Sequence, residues 1–453
     1  MRRHDAFLSG FDLANFDQVL WLFANGHEPL NTQDGQLFWG EHFSPTITAF
    51  VPAYALGAGP TTLLVVQGLS VALVAPLLFF LARTYGAGPR LAAIPAVLWL
   101  LSPMTLLPTV NDVHHVPLVA PAIVGSILAL KRGQLPLFVV LALLACGAKE
   151  DVSLMYLALG VVVALEGRRR LGEAIVVGSL AIFLFAVVVF LPAFSDSIAW
   201  FEDRFAGDRG DTVADALGWI VLHPWAALGD LVVSENLVIC AALVVGTGGL
   251  CWLAPRWMLL GVPALAHSLL SAYEPQHQLG THYYFPVSIA FAVAAAVSVG
   301  RLAGAAPRLR RVAAVCIAAA ALVAPLGIRS VVDESSWAPE DVAALGGTDV
   351  RRLALAHVPD NVSVAASTRL TPHLAHRREI YTLPLPFFGR QELGTDWSAE
   401  EFRARAAGVR WVVLDMSDRR LLFPRTPERM RSLLPRLGFR PVFEAGSVSV
   451  WRC

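Results

Sequence analysis

Apolar runs of roughly bilayer length recur along this chain, and the polar residues between them are unevenly spread. The runs fall at 60–83, 90–106, 116–130, 134–148, 152–166, 171–193, 228–252, 257–272, 284–300 and 312–329. A spanning helix needs about 20 apolar residues, and several runs are shorter, so neighbouring pairs read as tilted or re-entrant. From about residue 335 the pattern changes. "VPDNVSVAAS", "REIYTLP" and "VRWVVLDMSD" read as strands, "TPERMRSLLPRLGF" as an amphipathic helix, and "FEAGSVSVWRC" as a hairpin closed by a glycine turn. The pattern predicts a mainly α fold: a polytopic transmembrane helical bundle of about ten spans over 60–330. An outer segment with juxtamembrane helices, 1–59, precedes it and a small α/β soluble domain, 335–453, follows.

Composition agrees. The 453 residues are 56% hydrophobic and 15% charged, with mean hydropathy +0.58; soluble domains carry about 25% charged residues. Net charge is zero and there is no basic tract, which excludes nucleic acid as a partner. The five cysteines, Cys146, Cys240, Cys251, Cys316 and Cys453, are scattered and offer neither a disulfide framework nor a zinc spacing. Lys131 and Lys149 are the only lysines, so each position is informative.

Basic residues set an orientation. The loops with Arg83 and Arg90, Lys131 and Arg132, Arg168 to Arg170, Arg256, and Arg301 with Arg308 to Arg311 alternate with loops poor in them. With the first set cytoplasmic, 1–59, 107–115, 149–151, 194–220, 273–283 and the C-terminal domain face outward. That topology expects a further transmembrane helix ahead of Met1, or else an unusual N-out insertion.

Polar and aromatic clusters all fall on the outward side. "FDLANFDQVLW" carries Asp12 and Asp17; if helical, Asp12 shares a face with Phe16, and Asp17 with Trp21. "FWGEHFSPT" carries Glu41 and His42, "NDVHHVP" carries Asp112, His114 and His115, and "GAKEDVS" carries Lys149, Glu150 and Asp151. "AYEPQHQLGTHYYFP" adds His277, His282 and Tyr283. Taken singly, each is a solvated loop residue or a member of an aromatic belt. Their convergence on one side favours function, because charge at the edge of a bilayer is costly. Asp112 and Glu41 leave room for a divalent metal, but no HxH or HExxH spacing calls for one. His373 and His376 read as the surface of the C-terminal domain.

"DLANFDQVLW", "EHFSP", "NDVHH" and "AKEDV", in that order, resemble a prokaryotic family of polytopic proteins known as the domain of unknown function numbered twenty seventy-nine. The resemblance extends to "SVAASTRLTPHLAHRREIY". The family's usual second motif is Gly-Asp-His-Phe-Ser-Pro, and Glu41 stands in the Asp position here. That family is similar in turn to the GT-C superfamily of membrane glycosyltransferases, which use lipid-phosphate-linked sugars. The superfamily places an acidic residue just after its first helix, where Asp12 stands.

The resemblance implies transfer of a sugar from a polyprenyl-phosphate donor to an extracytoplasmic acceptor, with inversion. Asp12 would be the general base and Asp17 its orienter. Lys149 and His42, helped by His114 or His115, would contact the phosphate, and Glu41, Asp112, Glu150, Asp151, His277, His282 and Tyr283 would complete the substrate site. No cofactor is called for by a motif, and a divalent metal stays open. A transporter and a non-catalytic receptor or scaffold remain as other readings, since a fold does not establish an activity. If one outer site exists, the variants Asp12→Cys and Lys149→Cys should both react with a membrane-impermeant maleimide added from outside. Labelling of the two from opposite sides would exclude a common centre.

Overall fold

The fold, a computed structural model, describes residues 1–33, 35–195, 207–210, 212–302, parts of 311–329, and 346–388, 397–418 and 426–453. Among the described residues, Pro60–Thr84, Arg169–Ala193 and His282–Leu302 are each long and apolar enough to cross a membrane. Two bent pairs pass the same test together: Pro89–Leu101 with Pro103–Asn111, bent by 41°, and Pro224–Leu231 with Ser234–Gly246, bent by 63°. The first bend has a local cause. Ser102 precedes a proline and is extended, with ψ of 125°, because the pyrrolidine ring disfavours the helical conformation of the residue before it.

The runs at 116–130, 134–148 and 152–166 become the shorter helices His115–Lys131, Leu135–Cys146 and Val152–Leu165. At 1.5 Å per residue they span about 18–26 Å, short of a hydrocarbon core of about 30 Å. The run at 257–272 breaks into Pro255–Met258, Leu259–Gly261 and Val262–Leu270. The run at 312–329 lies partly outside the described residues.

His282–Leu302 is the central post. Its apolar window is 89% buried, against 39% for Pro60–Thr84 and 22% for Arg169–Ala193. Its alanines and glycine let neighbouring backbones approach. Val152–Leu165 and the first part of the span Arg169–Ala193 meet through Gly160 and Gly172. A Cβ on Gly172 would lie 2.5 Å from Gly160 O. Towards its C-terminal end the same span loosens into a π-helical turn, Phe185–Phe190, and a 3-10 turn, Leu191–Ala193.

Ahead of the bundle lie the helix Phe11–Ala24, a hairpin of β1 (Leu30–Asn31) and β2 (Gln36–Leu37), and the short helix Phe38–Glu41. Near the C-terminus, β3 (Val364–Ala366), β4 (Ile380–Thr382), β5 (Trp411–Asp415), β6 (Arg440–Ala445) and β7 (Val448–Arg452) form one sheet in the order β4-β3-β5-β7-β6. The β3–β4 and β3–β5 pairs are parallel; β7 runs antiparallel to β5 and β6. Alternate residues face opposite sides. Val364, Ala366, Val413 and Val450 pack with Phe7 and Leu370, while Ala365, Val412, Leu414 and Trp451 pack with Met430 and Leu434. Phe7 comes from the far end of the chain, so the N-terminal segment completes the core of this sheet. The hairpin β6–β7 turns through Gly446 at φ +55°.

Gly172→Ala is expected to destabilise the protein by about 1–3 kcal/mol, the usual cost of overpacking a tight contact. Gly178→Ala in the same helix, with open space around it, should be neutral. Thermal unfolding of the detergent-solubilised variants checks both.

Candidate functional site

The site is assembled at breaks between apolar helices, where backbone and side-chain polar groups must satisfy one another. The first break is 111–114. Gln67, fully buried inside the span Pro60–Thr84, donates through Nε2 to Thr109 O (3.0 Å) and Asp112 O (2.7 Å). Its Oε1 accepts from His114 N at 2.8 Å. One side-chain amide thus pins the loop that carries His114. Asp112 Oδ1 in turn accepts from Leu13 N (3.1 Å) and Val113 N (2.9 Å). It holds the first turn of the helix Phe11–Ala24, a capping role.

That placement brings Asp12 to His114. Oδ2 of Asp12 lies 3.5 Å from His114 Nδ1, with the Asp12 side chain 41% exposed and that of His114 8%. His114 stacks on His282, centroids 3.8 Å apart, and His282 also contacts Tyr283. Burial, with the nearby Lys149 charge, pushes the His114 imidazole down to about 3. It is therefore neutral at physiological pH, and its contact with Asp12 is a polar one, not an ion pair.

The second break is 147–151. Glu150 accepts from His42 Nδ1 (3.0 Å) and Phe43 N (3.1 Å). Burial alone would raise the Glu150 carboxyl, but the charge and hydrogen bond of His42 outweigh it and hold the group below the usual carboxylate range. Lys149 Nζ lies 3.3 Å from Asp151 Oδ2. Burial works against its charge, but Asp151 and Glu150 keep the ammonium protonated. His115 joins the two breaks, edge-on to His42 at 5.2 Å and to Phe16 at 4.6 Å. The result is one region holding a partly exposed carboxylate, a largely buried ammonium and several imidazoles.

Asp12, His114 and His282 offer ligand atoms all within 4.8 Å of one another. One carboxylate and two imidazoles suit a divalent transition metal, although stacked rings must rotate before both nitrogens can face one ion. Of the pair suggested by sequence, Asp112 is engaged with backbone amides and Glu41 closes the helix Phe38–Glu41.

Other sequence candidates lie elsewhere. Asp17 is about 140° around the helix from Asp12 and is buried against Tyr54 and His376. His277 is a loop clip, with ring nitrogens 2.8 Å from Asn236 Oδ1 and 2.9 Å from Ser271 O. Gln67 and Tyr54, which hold Asp112 and Asp17, fall outside the sequence motifs. The only signal for Gln67 is a lone amide within "LLVVQGLSV", which a membrane interior tolerates when its hydrogen bonds are made.

A groove of about 510 Å³ is lined by Phe43, Pro45, Thr46, Leu143, Cys146 and Phe185, among others. Leu143 is 55% and Phe185 49% exposed, so the groove opens outward. Phe43, whose backbone N–H is held by Glu150, meets Phe190 edge-on at 4.9 Å.

The chain matches, over residues 3–433, the family described as "Predicted membrane protein (DUF2079)". No protein of curated function matches it by sequence. Among solved structures, it is similar to ArnT from Cupriavidus metallidurans bound to undecaprenyl phosphate. The TM-score is 0.54 at 15% identity, over 98% of this chain and 94% of that one. The apo state of the same protein gives 0.55 at 15%, over 98% and 93%. At this identity the likeness is one of fold, and it supports the polytopic, mainly α architecture with a small C-terminal sheet expected from the sequence.

Because Glu150 titrates below the usual carboxylate range, the stability it contributes is complete above that range and is lost as pH falls through its folded value. Glu150→Leu should cost about 3 kcal/mol, as for breaking a buried pair, and should flatten the acid side of the stability profile. Unfolding measured from neutral to acid pH checks both.

Proposed function

We propose that this chain, which belongs to the DUF2079 family of predicted membrane proteins, is an integral-membrane GT-C-like glycosyltransferase. It moves a sugar from a polyprenyl-phosphate donor to an extracytoplasmic acceptor, with inversion. The observation that carries this reading is the gathering of Asp12, His114, His282, Lys149 and the His42–Glu150 pair, joined through Phe43 to an apolar groove. A lipid phosphate needs that combination: cations and hydrogen-bond donors for its head, and an apolar channel for its chain. The likeness in fold to a protein solved with undecaprenyl phosphate points to the same class of donor lipid.

In this mechanism the acceptor hydroxyl gives its proton to Asp12 as its oxygen attacks the anomeric carbon. The bond from that carbon to the phosphate oxygen breaks, and its electron pair leaves with the polyprenyl phosphate. Asp12 suits the task because its carboxylate is partly exposed and flanked by a neutral imidazole that does not neutralise it. The Lys149 ammonium acts as a point charge on the departing phosphate, and its interaction strengthens in a site shielded from water. His42, oriented by Glu150, would donate to the same phosphate. The prenyl chain would follow the Phe43–Phe185 groove. A divalent ion, if one takes part, would be held by Asp12, His114 and His282.

Full-length protein in nanodiscs, given a polyprenyl-phosphate sugar and acceptor extracts, is expected to release polyprenyl phosphate. Asp12→Asn should lower the rate by at least about 100-fold, the scale of general-base catalysis, with thermal stability unchanged. A fully active Asp12→Asn protein would overturn this reading, and solute flux without chemical change would favour a transporter.

A further inference from the structure

Two side chains turn from the helix Phe11–Ala24 towards the C-terminal sheet domain. Asp17 is 1% exposed. Its Oδ1 accepts from Tyr54 Oη (2.7 Å) and His376 Nε2 (3.2 Å), and its Oδ2 has no hydrogen-bond partner among the described residues. Gln18 is fully buried. Its Nε2 donates to Thr32 Oγ1 (2.8 Å), with Arg378 O also in reach at 3.2 Å. Thr32 continues the linkage into β4, donating to Ile380 O (2.5 Å) and accepting from Ile380 N (3.0 Å). One helix therefore carries the proposed base near its start and, beyond it, two residues fastened to a domain more than three hundred positions away in sequence.

We infer that His376 of the C-terminal domain is a positioning residue for Asp12, a proton-dependent latch that grips the base-bearing helix through Asp17. This rests on reading Asp12 as the base. The chemistry follows from burial. A carboxylate sealed from water with one unpartnered oxygen needs a counter-charge, and His376 can supply one when protonated. The His376 side chain is 40% exposed, so solvent protons reach it.

The titratable and charged groups around the pair are Asp17 from the helix, Tyr54 from Val51–Ala55, Arg377 beside His376, and His4, which also feels Asp17. Burial pulls the His376 imidazole down and Arg377 opposes its charge, but the hydrogen bond and charge of Asp17 outweigh both and raise it. A raised histidine contributes stability that is complete below its ordinary value and lost as pH rises through the folded one. The grip is therefore tighter in mild acid and looser in mild alkali.

Hydrogen exchange on full-length protein in nanodiscs, from mildly acidic to mildly alkaline pH, tests this without any variant. Protection factors for 11–24, corrected for intrinsic exchange, should fall several-fold as pH rises, while those of the span Pro60–Thr84 stay flat. His376→Gln should lower protection at acid pH and remove the pH dependence, and His376→Lys, always charged, should restore protection without it. Tyr54→Phe, which removes only a hydroxyl, should steepen the profile and serves if the His376 variants do not fold. A pH-independent profile in the unmodified protein, or a His376→Gln profile matching it, would overturn the latch. In the transfer assay, His376→Gln should lower kcat with little change in the donor KM. A correct exchange profile with no turnover in any protein would remove the transferase reading and leave the latch standing.

Discussion

A carboxylate held at the break between two short apolar helices must find donors, and this constraint organises the end of the bundle that carries the polar site. Glu150 finds them in the His42 imidazole and Phe43 N–H, from a segment more than a hundred residues earlier. Meeting that need draws Phe38–Glu41 and the following residues onto the break between Leu135–Cys146 and Val152–Leu165. Ser44 Oγ donates to Ala148 O (3.0 Å), Thr46 N to Gly147 O (2.8 Å), and Gly147 approaches Thr46 so closely that a Cβ would lie 2.6 Å from its hydroxyl. Phe43 is thereby turned into a groove wall. The polar contact and the apolar channel are two consequences of one anchoring.

The same logic repeats at the other break. The amide of Gln67 ties backbone groups at Thr109, Asp112 and His114, and the Asp112 carboxylate caps the helix Phe11–Ala24. In a low-dielectric setting such groups carry a large penalty when unpaired. The loops between spans are therefore specified tightly even though they lack regular structure. Asp12 ends beside His114 because the loop, the cap and the helix are each tied to the next.

The C-terminal sheet is bound to this arrangement rather than appended to it. Phe7 fills part of its core, Thr32 bonds to β4, and Asp17 meets His376. On the opposite end of the bundle, Lys131 pairs with Glu166 under the faces of Tyr85 and Trp257. The chain's two lysines thus serve different purposes: Lys131 closes a cluster at one end, and Lys149 lies in the polar site at the other.

Much of the fold was legible in the residues because local patterns are enough to specify it. Long apolar runs mark helices, since a helix satisfies its own backbone within a bilayer, and the strands near the C-terminus follow from short β-branched and aromatic runs closed by a glycine turn. The clusters "FDLANFDQVLW", "EHFSP", "NDVHH" and "AKEDV" stand out for the same reason, since charge near a membrane is rare, and members of each meet in the fold. What sequence could not decide was which member of a cluster faces which partner. Asp12 and Asp17 are equivalent on paper, yet one meets His114 and the other is sealed against Tyr54 and His376. Asp112 reads as a ligand and serves as a cap, and Gln67 reads as an impurity in an apolar run and pins a loop. Those outcomes depend on contacts between residues tens to hundreds of positions apart, and only packing in three dimensions sets the hydrogen-bond geometry that assigns each group its role.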